Sequence, residues 1–517
     1  MLNFFNKRFF IIFLFPLLLG GLTSLSFEPF NFFFINFISL SLLFISITYV
    51  KRKSKNIYRK KPYLSNFFIL GTSFGFGFFF FGIYWITHSL TFDDSFKIFI
   101  PIGLFLIPLF LSLFFSIPIL FIGNLCNRDI SSIFLISGIF SISDFLRSKI
   151  LTGFPWNLWS YSFSWSEESL QILSSVGFFS LNLLFITIFF IPSVLFFKNK
   201  SKYLFFSFFI ILFFSNYFYG SYKVNTNLKE NNFNSINFKI VSASVDLSDF
   251  KNEYEVASKL IRYSEPNKQK KTIFIWPEGV FLNNDFIKRN EIKNLFSQNF
   301  SDNHLIIFGA NTKKLTSQGE KYFNSMLVVD KNLNIINSYD KKKLVPFGEF
   351  LPLENILNSF GLKKITPGYA SFSSGDSKSI MKLKIDSFDV NFLPLICYEI
   401  IFPDLVQKNP DFNFIINISE DAWFGKSIGP HQHFAKAIFR SIESRTYILR
   451  SANKGISAFI SPKGKILKIL SANEMGNIEL EVPIVEKSKK TLRKDLIFLL
   501  LLFTYISIFF VLRKFKI

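Results

Sequence analysis

Three side chains whose types could together perform acyl transfer stand where apolar, strand-like runs end. Glu278 closes IFIWPE, Cys397 comes at the end of NFLPLICYE, and Lys341 lies in SYDKKKLVPFGEFLP. In α/β folds, reacting groups gather at the carboxyl ends of strands. A thiolate can attack a carbonyl carbon. A carboxylate can take the thiol proton and later serve the incoming nucleophile, and an ammonium can stabilise the oxyanion. By residue type alone Cys397 has two readings, a nucleophile or a buried small hydrophobe. Lys341 stands beside Lys342 and Lys343, a run that equally suits a solvated face. If the three meet, Glu278 and the Lys341 charge are expected to favour the Cys397 thiolate.

The elements that must position them lie within residues 233–485. There, short β-type runs (NFKIVSASV, TIFIWPE, HLIIFGA, SMLVVD, FDVNFLPLICYE, FNFIINIS, GISAFISP) alternate with polar connections and with helical stretches such as 431–449. Strands mixed with helices over this length predict one α/β domain with a mostly buried sheet. SPKGK at Ser461 reads as a hairpin turn and not as a phosphate loop.

The rest of the chain has a different composition. Of 517 residues half are hydrophobic and 76 are Phe, and long apolar runs imply a polytopic membrane protein. Eight spans are expected, near 9–26, 30–50, 66–88, 97–122, 129–147, 168–197, 203–219 and 496–513. The first follows Lys7 and Arg8 but lacks a small-x-small cleavage site, and so reads as an uncleaved helix. The net charge of +22 is concentrated in KRKSKNIYRKK (Lys51–Lys61), KNKSK and the tail RKFKI. Placing the N-terminus inside puts all three basic segments inside, as the positive-inside rule asks, and puts the α/β domain outside. The predicted division is 1–222 as a seven-span membrane domain, 223–490 as the α/β domain, and 491–517 as a last span with a basic cytoplasmic tail.

Several function classes drop out. With the positive charge in membrane-flanking loops, nucleic-acid binding has no support. Two cysteines, Cys126 and Cys397, expected on opposite sides of a membrane, exclude a disulfide framework. With four His no metal site is expected; His431 and His433 read as polar groups at a helix N-terminus. GTSFG (Gly71–Gly75) matches the hydrolase elbow pattern but falls inside an apolar span, so Ser73 reads as a helix-packing residue.

The flanks of the three candidates narrow the choice. WPEG, YDKxxLVPFGEFLP, PLICYEIIFPDL and NISEDAWFGKSIGPHQHFAKAIFRSIESR resemble the nitrilase superfamily, and within it the apolipoprotein N-acyltransferase family of bacterial membrane enzymes. TGFPWNLWSYSF (Thr152–Phe163) is similar to that family's loop between its fifth and sixth spans. The resemblance covers nearly the whole chain. It implies eight spans with an extracytoplasmic nitrilase-like αββα sandwich inserted before the last, in a bacterial inner membrane with the catalytic domain on the periplasmic side.

The resemblance also implies roles. Glu278 becomes the general base and acid, Lys341 the oxyanion stabiliser and Cys397 the nucleophile. Glu349 becomes a carboxylate beside the lysine. Asn324, Tyr398, Glu399 and Trp423 match family positions in support of the site. Trp423 alternatively reads as a packed aromatic, and Glu399 as an ion-pair partner of Arg440 or Arg445. Trp156, Trp159, Tyr161 and Trp165 fit an interfacial aromatic belt, with Trp156 a further candidate for a substrate wall. The implied reaction moves an acyl chain from a phospholipid to Cys397, then to the amino group of a diacylglyceryl-Cys apolipoprotein, with no metal or organic cofactor, in a monomer. A membrane-anchored amidase acting on a small amide is the alternative with the same triad. The sequence departs from the family pattern in three places. Lys343 stands where a His is usual, SEDAWFG has Ser-Glu where Asn is commoner, and VSASVDLSDFK lacks the Gln-Gly-Asn type of opening, with Phe250 the nearest aromatic to the Trp expected in the following loop.

Overall fold

The computed structural model describes residues 8–54, 61–226, 235–246, 252–282, 285–317, 319–352, 371–376, 379–385, 388–408, 411–484 and 493–515. Phe250 lies outside them. The chain forms two compact units, Met1–Thr226 with Leu492–Ile517, and Asn227–Thr491.

The first unit is helical: α1 (Phe10–Ser26), α2 (Phe34–Ser54), α3 (Lys61–Gly82), α4 (Ile100–Ile122), α5 (Ile130–Arg147), α6 (Phe178–Phe190), α7 (Lys202–Asn225) and a C-terminal helix (Lys494–Lys514). Among the described residues, seven helical segments are long and apolar enough to cross a membrane. The first expected span, α1, is apolar but shorter among the described residues. Two other expected spans are also trimmed. The third stops at Gly82 and continues as a 3-10 segment, Tyr84–Thr91. Residues 167–176 form two separate helical turns before α6.

Small residues bring α1, α3 and α4 together. A Cβ on Gly77 would sit 2.0 Å from the Leu17 carbonyl oxygen, and one on Gly71 would sit 2.5 Å from the Ser116 Cα. Without a hydrophobic force between helices in lipid, such close backbone approach is what packs them. Ser73 is buried in this seam, inside α3. The C-terminal helix joins the same bundle through Phe498 on Phe145 and the Tyr505 hydroxyl at 2.9 Å from Thr187 Oγ1.

A buried polar cluster holds the loop after α5. Arg147 donates to the carbonyls of Phe154 (3.0 Å) and Trp156 (2.7 Å) and pairs with Asp144 at 3.0 Å. Asn182 of α6 donates to Asp144 at 2.8 Å and accepts from the Ser160 amide at 3.0 Å. The aromatics of this loop are its own core and not an interfacial belt: Trp156, Trp159 and Tyr161 are each 1% exposed, and only Trp165 is open. Trp156 packs between Trp85 (centroids 4.8 Å) and Phe154 (5.9 Å). A ring enclosed in this way exposes almost none of its surface.

The second unit is a two-sheet α/β sandwich. One sheet has the order β12-β1-β2-β3-β4-β5 and the other β11-β10-β9-β8-β7-β6. The strands are β1 (Ser235–Ser242), β2 (Thr272–Ile275), β3 (His304–Thr316), β4 (Gly319–Val329), β5 (Ile335–Asp340), β6 (Met381–Ile385), β7 (Phe388–Ile396), β8 (Phe414–Glu420), β9 (Tyr447–Asn453), β10 (Ser457–Ile460), β11 (Ile466–Leu470) and β12 (Gly476–Pro483). β1, β2 and β3 run parallel, as do β7, β8 and β9. β2, β8 and β9 are buried along their whole lengths, β2 as a mostly apolar run and β8 and β9 with polar residues near their carboxyl ends.

The core between the sheets joins Phe238, Ile240, Ile307 and Val328 of one to Val390, Phe392, Ile416 and Leu449 of the other. On the outer face of the first sheet, α8 (Glu253–Ser264) and α9 (Asn290–Asn299) contribute Val256, Leu260, Ile292 and Phe296 to a second core. On the second sheet's side lie α10 (Pro403–Gln407) and α11 (Gly429–Ser444). The helix expected over 431–449 ends earlier, at Ser444. Arg445 turns left-handed (φ 54°) and the chain enters β9 at Tyr447. The hairpin expected at SPKGK joins β10 to β11, closed by the Ser461 amide on the Lys465 carbonyl at 2.9 Å.

Candidate active site

Strand ends bring the candidates together. Past β2 the chain follows β3 for several more residues: the Trp276 amide bonds Ile307 O (2.8 Å), the Gly309 amide bonds Pro277 O (3.0 Å) and the Val280 amide bonds Gly309 O (2.9 Å). Glu278 therefore projects from a pinned extension of the strand. Gly309 permits the close approach, since a Cβ there would stand 2.6 Å from the Glu278 Cα. Lys341 is the first residue after β5, and its amide bonds the Asn324 carbonyl of β4 at 2.8 Å. Cys397 follows β7 in a left-handed turn, φ 47°. That conformation is costly for a residue with a Cβ, and such strain concentrates at functional sites.

The Lys341 ammonium lies between two carboxylates, 2.9 Å from Glu349 Oε1 and 3.3 Å from Glu278 Oε1. Asn324 Nδ2 donates to the same two oxygens, at 2.8 and 2.7 Å. Their second oxygens are also held: Glu278 Oε2 by the Glu420 amide (2.9 Å) and Glu349 Oε2 by the Val345 amide (2.9 Å). Burial alone would lower the Lys341 pKa, but Glu278, Glu349 and Cys397 outweigh it and hold the ammonium well above its usual range. The neighbouring lysines are engaged elsewhere: Lys342 Nζ donates to Ser379 Oγ at 2.7 Å, and Lys343 Nζ lies 5.1 Å from the Phe402 ring centre.

The expectation that Glu278 and Lys341 together favour a resting thiolate needs correction. Burial pushes the Cys397 thiol well above its usual range, and the negative charge of Glu278 adds to the rise; Lys341 opposes both without overcoming them. A carboxylate beside a second incipient anion destabilises it. The resting group is thus the thiol, and its proton must leave as the nucleophile attacks.

Glu399 is fully buried and bonded to neither Arg440 nor Arg445. Its Oε1 accepts from the Tyr339 hydroxyl (2.8 Å) and the amides of Lys342 (2.8 Å) and Lys343 (3.2 Å), and its Oε2 accepts from the Ile396 amide (2.8 Å). Arg440 pairs with Glu443 at 2.9 Å. One side chain thereby ties the segment after Lys341 to the residue before Cys397. Tyr398 is buried against Phe402 (centroids 5.1 Å), while Trp423 is only partly buried.

Sequence reasoning missed a buried network behind the cysteine. Asp421 accepts from Ser419 Oγ (2.6 Å), His433 Nδ1 (2.9 Å) and Arg450 Nη2 (2.8 Å), and His433 Nε2 lies 3.2 Å from the Cys397 carbonyl oxygen. Burial would raise the Asp421 pKa, but Arg450 and His433 take it down to about 2. The only sequence signal was SEDAWFG with HQH nearby, and the partner Arg450 comes from a separate strand.

Residues 19–191 match the apolipoprotein N-acyltransferase N-terminal domain and residues 276–487 the carbon-nitrogen hydrolase domain. The apolipoprotein N-acyltransferase of Rickettsia prowazekii (strain Madrid E) is 35% identical over 479 residues, covering 90% of this chain and 91% of that protein. The chain belongs to the apolipoprotein N-acyltransferase family. A second member, from Allorhizobium ampelinum (strain ATCC BAA-846 / DSM 112012 / S4), is 30% identical and covers 88% of this chain and 87% of its own. Among solved structures, Saccharomyces cerevisiae Nit3 of the nitrilase superfamily aligns with 48% of this chain and 90% of its own, at 18% identity and a TM-score of 0.35, too low to argue from.

Proposed function

We propose that this chain transfers an acyl chain from a phospholipid to the N-terminal amino group of diacylglyceryl-Cys apolipoproteins, by way of a thioester on Cys397. The observation that carries the reading is the buried Lys341 ammonium set between Glu278 and Glu349, within electrostatic reach of a cysteine in a strained turn, in a family member that also carries the matching helical unit.

In the first half-reaction Glu278 takes the thiol proton as sulfur bonds to the ester carbonyl carbon. Lys341 stabilises the tetrahedral oxyanion. Collapse breaks the ester bond, and the lysophospholipid oxygen leaves with the proton from Glu278. In the second, the acceptor amine attacks the thioester, Glu278 takes the amine proton, and the sulfur leaves and is reprotonated. This is ping-pong chemistry, and every step uses side chains of this chain. Asn324 and Glu349 hold Glu278 and Lys341 in register; Glu399 holds the two loops.

The setting fits a lipid donor. Drawing an acyl chain into water costs about 0.8 kcal/mol per methylene, so the reaction belongs at a bilayer surface. The basic segments Lys51–Lys61, KNKSK and RKFKI support a cytoplasmic-membrane protein with the sandwich on the periplasmic side. The test supplies purified protein in lipid with an alkyne-tagged acyl phospholipid and a diacylated lipopeptide. Tag should reach the lipopeptide amine with wild type and not with Cys397→Ala. Tag released only as free fatty acid would make the protein a hydrolase and overturn the transfer reading.

A further inference from the structure

The turn that carries the sulfur is held from outside its own strand. Cys397 sits at φ 47°, a conformation that a residue with a Cβ keeps only where its surroundings over-determine it. The backbone leading to the sulfur is gripped at three successive residues. Asn417 Nδ2 of β8 donates to the Leu395 carbonyl at 2.9 Å, Glu399 Oε2 accepts from the Ile396 amide at 2.8 Å, and His433 Nε2 of α11 stands 3.2 Å from the Cys397 carbonyl oxygen.

His433 takes no part in the proton or acyl transfers, and its side chain is wholly buried. A carbonyl oxygen can only accept, so Nε2 carries the hydrogen of the third contact. On the other side of the ring, Nδ1 meets Asp421 Oδ1 at 2.9 Å and Arg450 Nη2 at 3.2 Å. Asp421 is pinned in turn by Ser419 Oγ (2.6 Å) and Arg450 Nη2 (2.8 Å). Arg450 Nε donates to the Ile456 carbonyl at 3.1 Å, and Nη1 donates to Asn417 Oδ1. Phe424 packs edge-on to the imidazole, centroids 5.3 Å apart. One arginine of β9 therefore orients both side chains, Asn417 and His433, that grip the carbonyls on either side of Ile396. Packing and outer hydrogen bonds of this kind are what hold a reacting group to its working geometry.

We infer that His433 is a positioning residue for the acyl transfer: its Nε2–H fixes the Cys397 peptide in the left-handed turn, while Asp421 and Arg450 fix the ring. The direction of the Cys397 Cα–Cβ bond follows from that peptide, and with it the place of the sulfur against Glu278 and Lys341. The inference rests on the function proposed above.

The test compares His433→Gln with His433→Asn. Glutamine carries its amide nitrogen about as far from the backbone as the imidazole Nε2, and so can still donate to the Cys397 carbonyl. Asparagine reaches only as far as Nδ1, so it can still donate to Asp421 but leaves that carbonyl without its donor. Both are neutral, so the pair differs in the carbonyl bond and not in charge. The readout is single-turnover acylation by phospholipid, followed by intact mass over a range of phospholipid concentrations. A displacement of about 1 Å between reacting groups is worth about 10²-fold. His433→Asn should therefore lose about 10²-fold in the saturating rate with little change in phospholipid KM, and His433→Gln should stay within about tenfold of wild type. Iodoacetamide alkylation mapped to Cys397, which needs proton removal but no lipid, should be slower in His433→Asn than in His433→Gln. Equal losses in the two variants overturn the inference, as does a His433→Asn rate within about threefold of wild type or a loss carried by KM. Failure of either variant to fold, read by thermal unfolding, makes the residue structural and overturns it too. Absence of any thioester in wild type would sink the proposed function instead, and the alkylation rates alone would then decide the role of His433.

Discussion

Replacing Glu399 by Gln tests how far the site depends on a residue that touches no reacting atom. The carboxylate gives Oε1 to the Tyr339 hydroxyl and the amides of Lys342 and Lys343, and Oε2 to the amide of Ile396. A glutamine keeps one acceptor oxygen. If that oxygen serves the three donors, the NH2 group confronts the Ile396 amide, donor against donor. Losing that bond and stranding a buried N–H costs about 2–4 kcal/mol. The strain falls on the residue before Cys397 and on those after Lys341. A displacement of about 1 Å between reacting groups is worth about 10²-fold in rate. Glu399→Gln should therefore lose about two orders of magnitude in thioester formation, with an apparent melting temperature several degrees lower and with phospholipid KM little changed. The assay is single-turnover acylation followed by intact mass. A rate within about threefold of wild type, less than about 1 kcal/mol in barrier, would refute the clamp.

Other outcomes follow from the same geometry. Lys341→Met removes the ammonium and leaves Glu278 and Glu349 unpaired, so acylation should fall at least about 10²-fold and stability by about 3–5 kcal/mol, seen in single-turnover rates and denaturant titration. For Asp421 the folded pKa lies below the unfolded one, so its contribution is present above about pH 4 and lost as pH falls towards 2. The drop from 3.8 to about 2 corresponds to about 2 kcal/mol, and Asp421→Asn should flatten acid denaturation in that window. For Glu420 the sign reverses: a raised folded pKa makes ionisation oppose the fold as pH climbs above the unfolded value, so Glu420→Gln should gain stability over wild type at neutral and alkaline pH but not below about pH 4. Trp156→Ala should cost about 3–5 kcal/mol by opening a cavity against Trp85 and Phe154, measured by thermal unfolding in detergent, without selectively raising phospholipid KM in the folded fraction.

What the sequence made legible was local. Flanking apolar runs marked Glu278 and Cys397 because buried parallel strands are mostly apolar, and the chemistry sits where that run stops. The elements that escaped are those whose signal depends on tertiary partners. β9, YILRSAN, reads as the tail of the preceding amphipathic helix, because Arg445 ends that helix without the glycine that usually marks such a turn. β11, ILKIL, is an edge strand with four of five residues not buried, so its pattern shows no core face. The charges of Asp421, His433 and Arg450 come from three elements and find one another only in the fold. The loop aromatics misled for a related reason: Trp and Tyr suit a membrane interface, but Arg147 takes the backbone carbonyls of Phe154 and Trp156 and turns the loop inward.

The central claim is that Cys397 becomes acylated by phospholipid and then gives the acyl group to an amine. Intact mass of the purified protein after incubation with phospholipid tests it most directly, beside Cys397→Ser. The account predicts a mass increase of one acyl group on wild type, sensitive to hydroxylamine, mapped to Cys397, and discharged by adding a diacylated lipopeptide. An unmodified Cys397 in folded, lipid-reconstituted protein, or an adduct that the lipopeptide leaves in place, would contradict it.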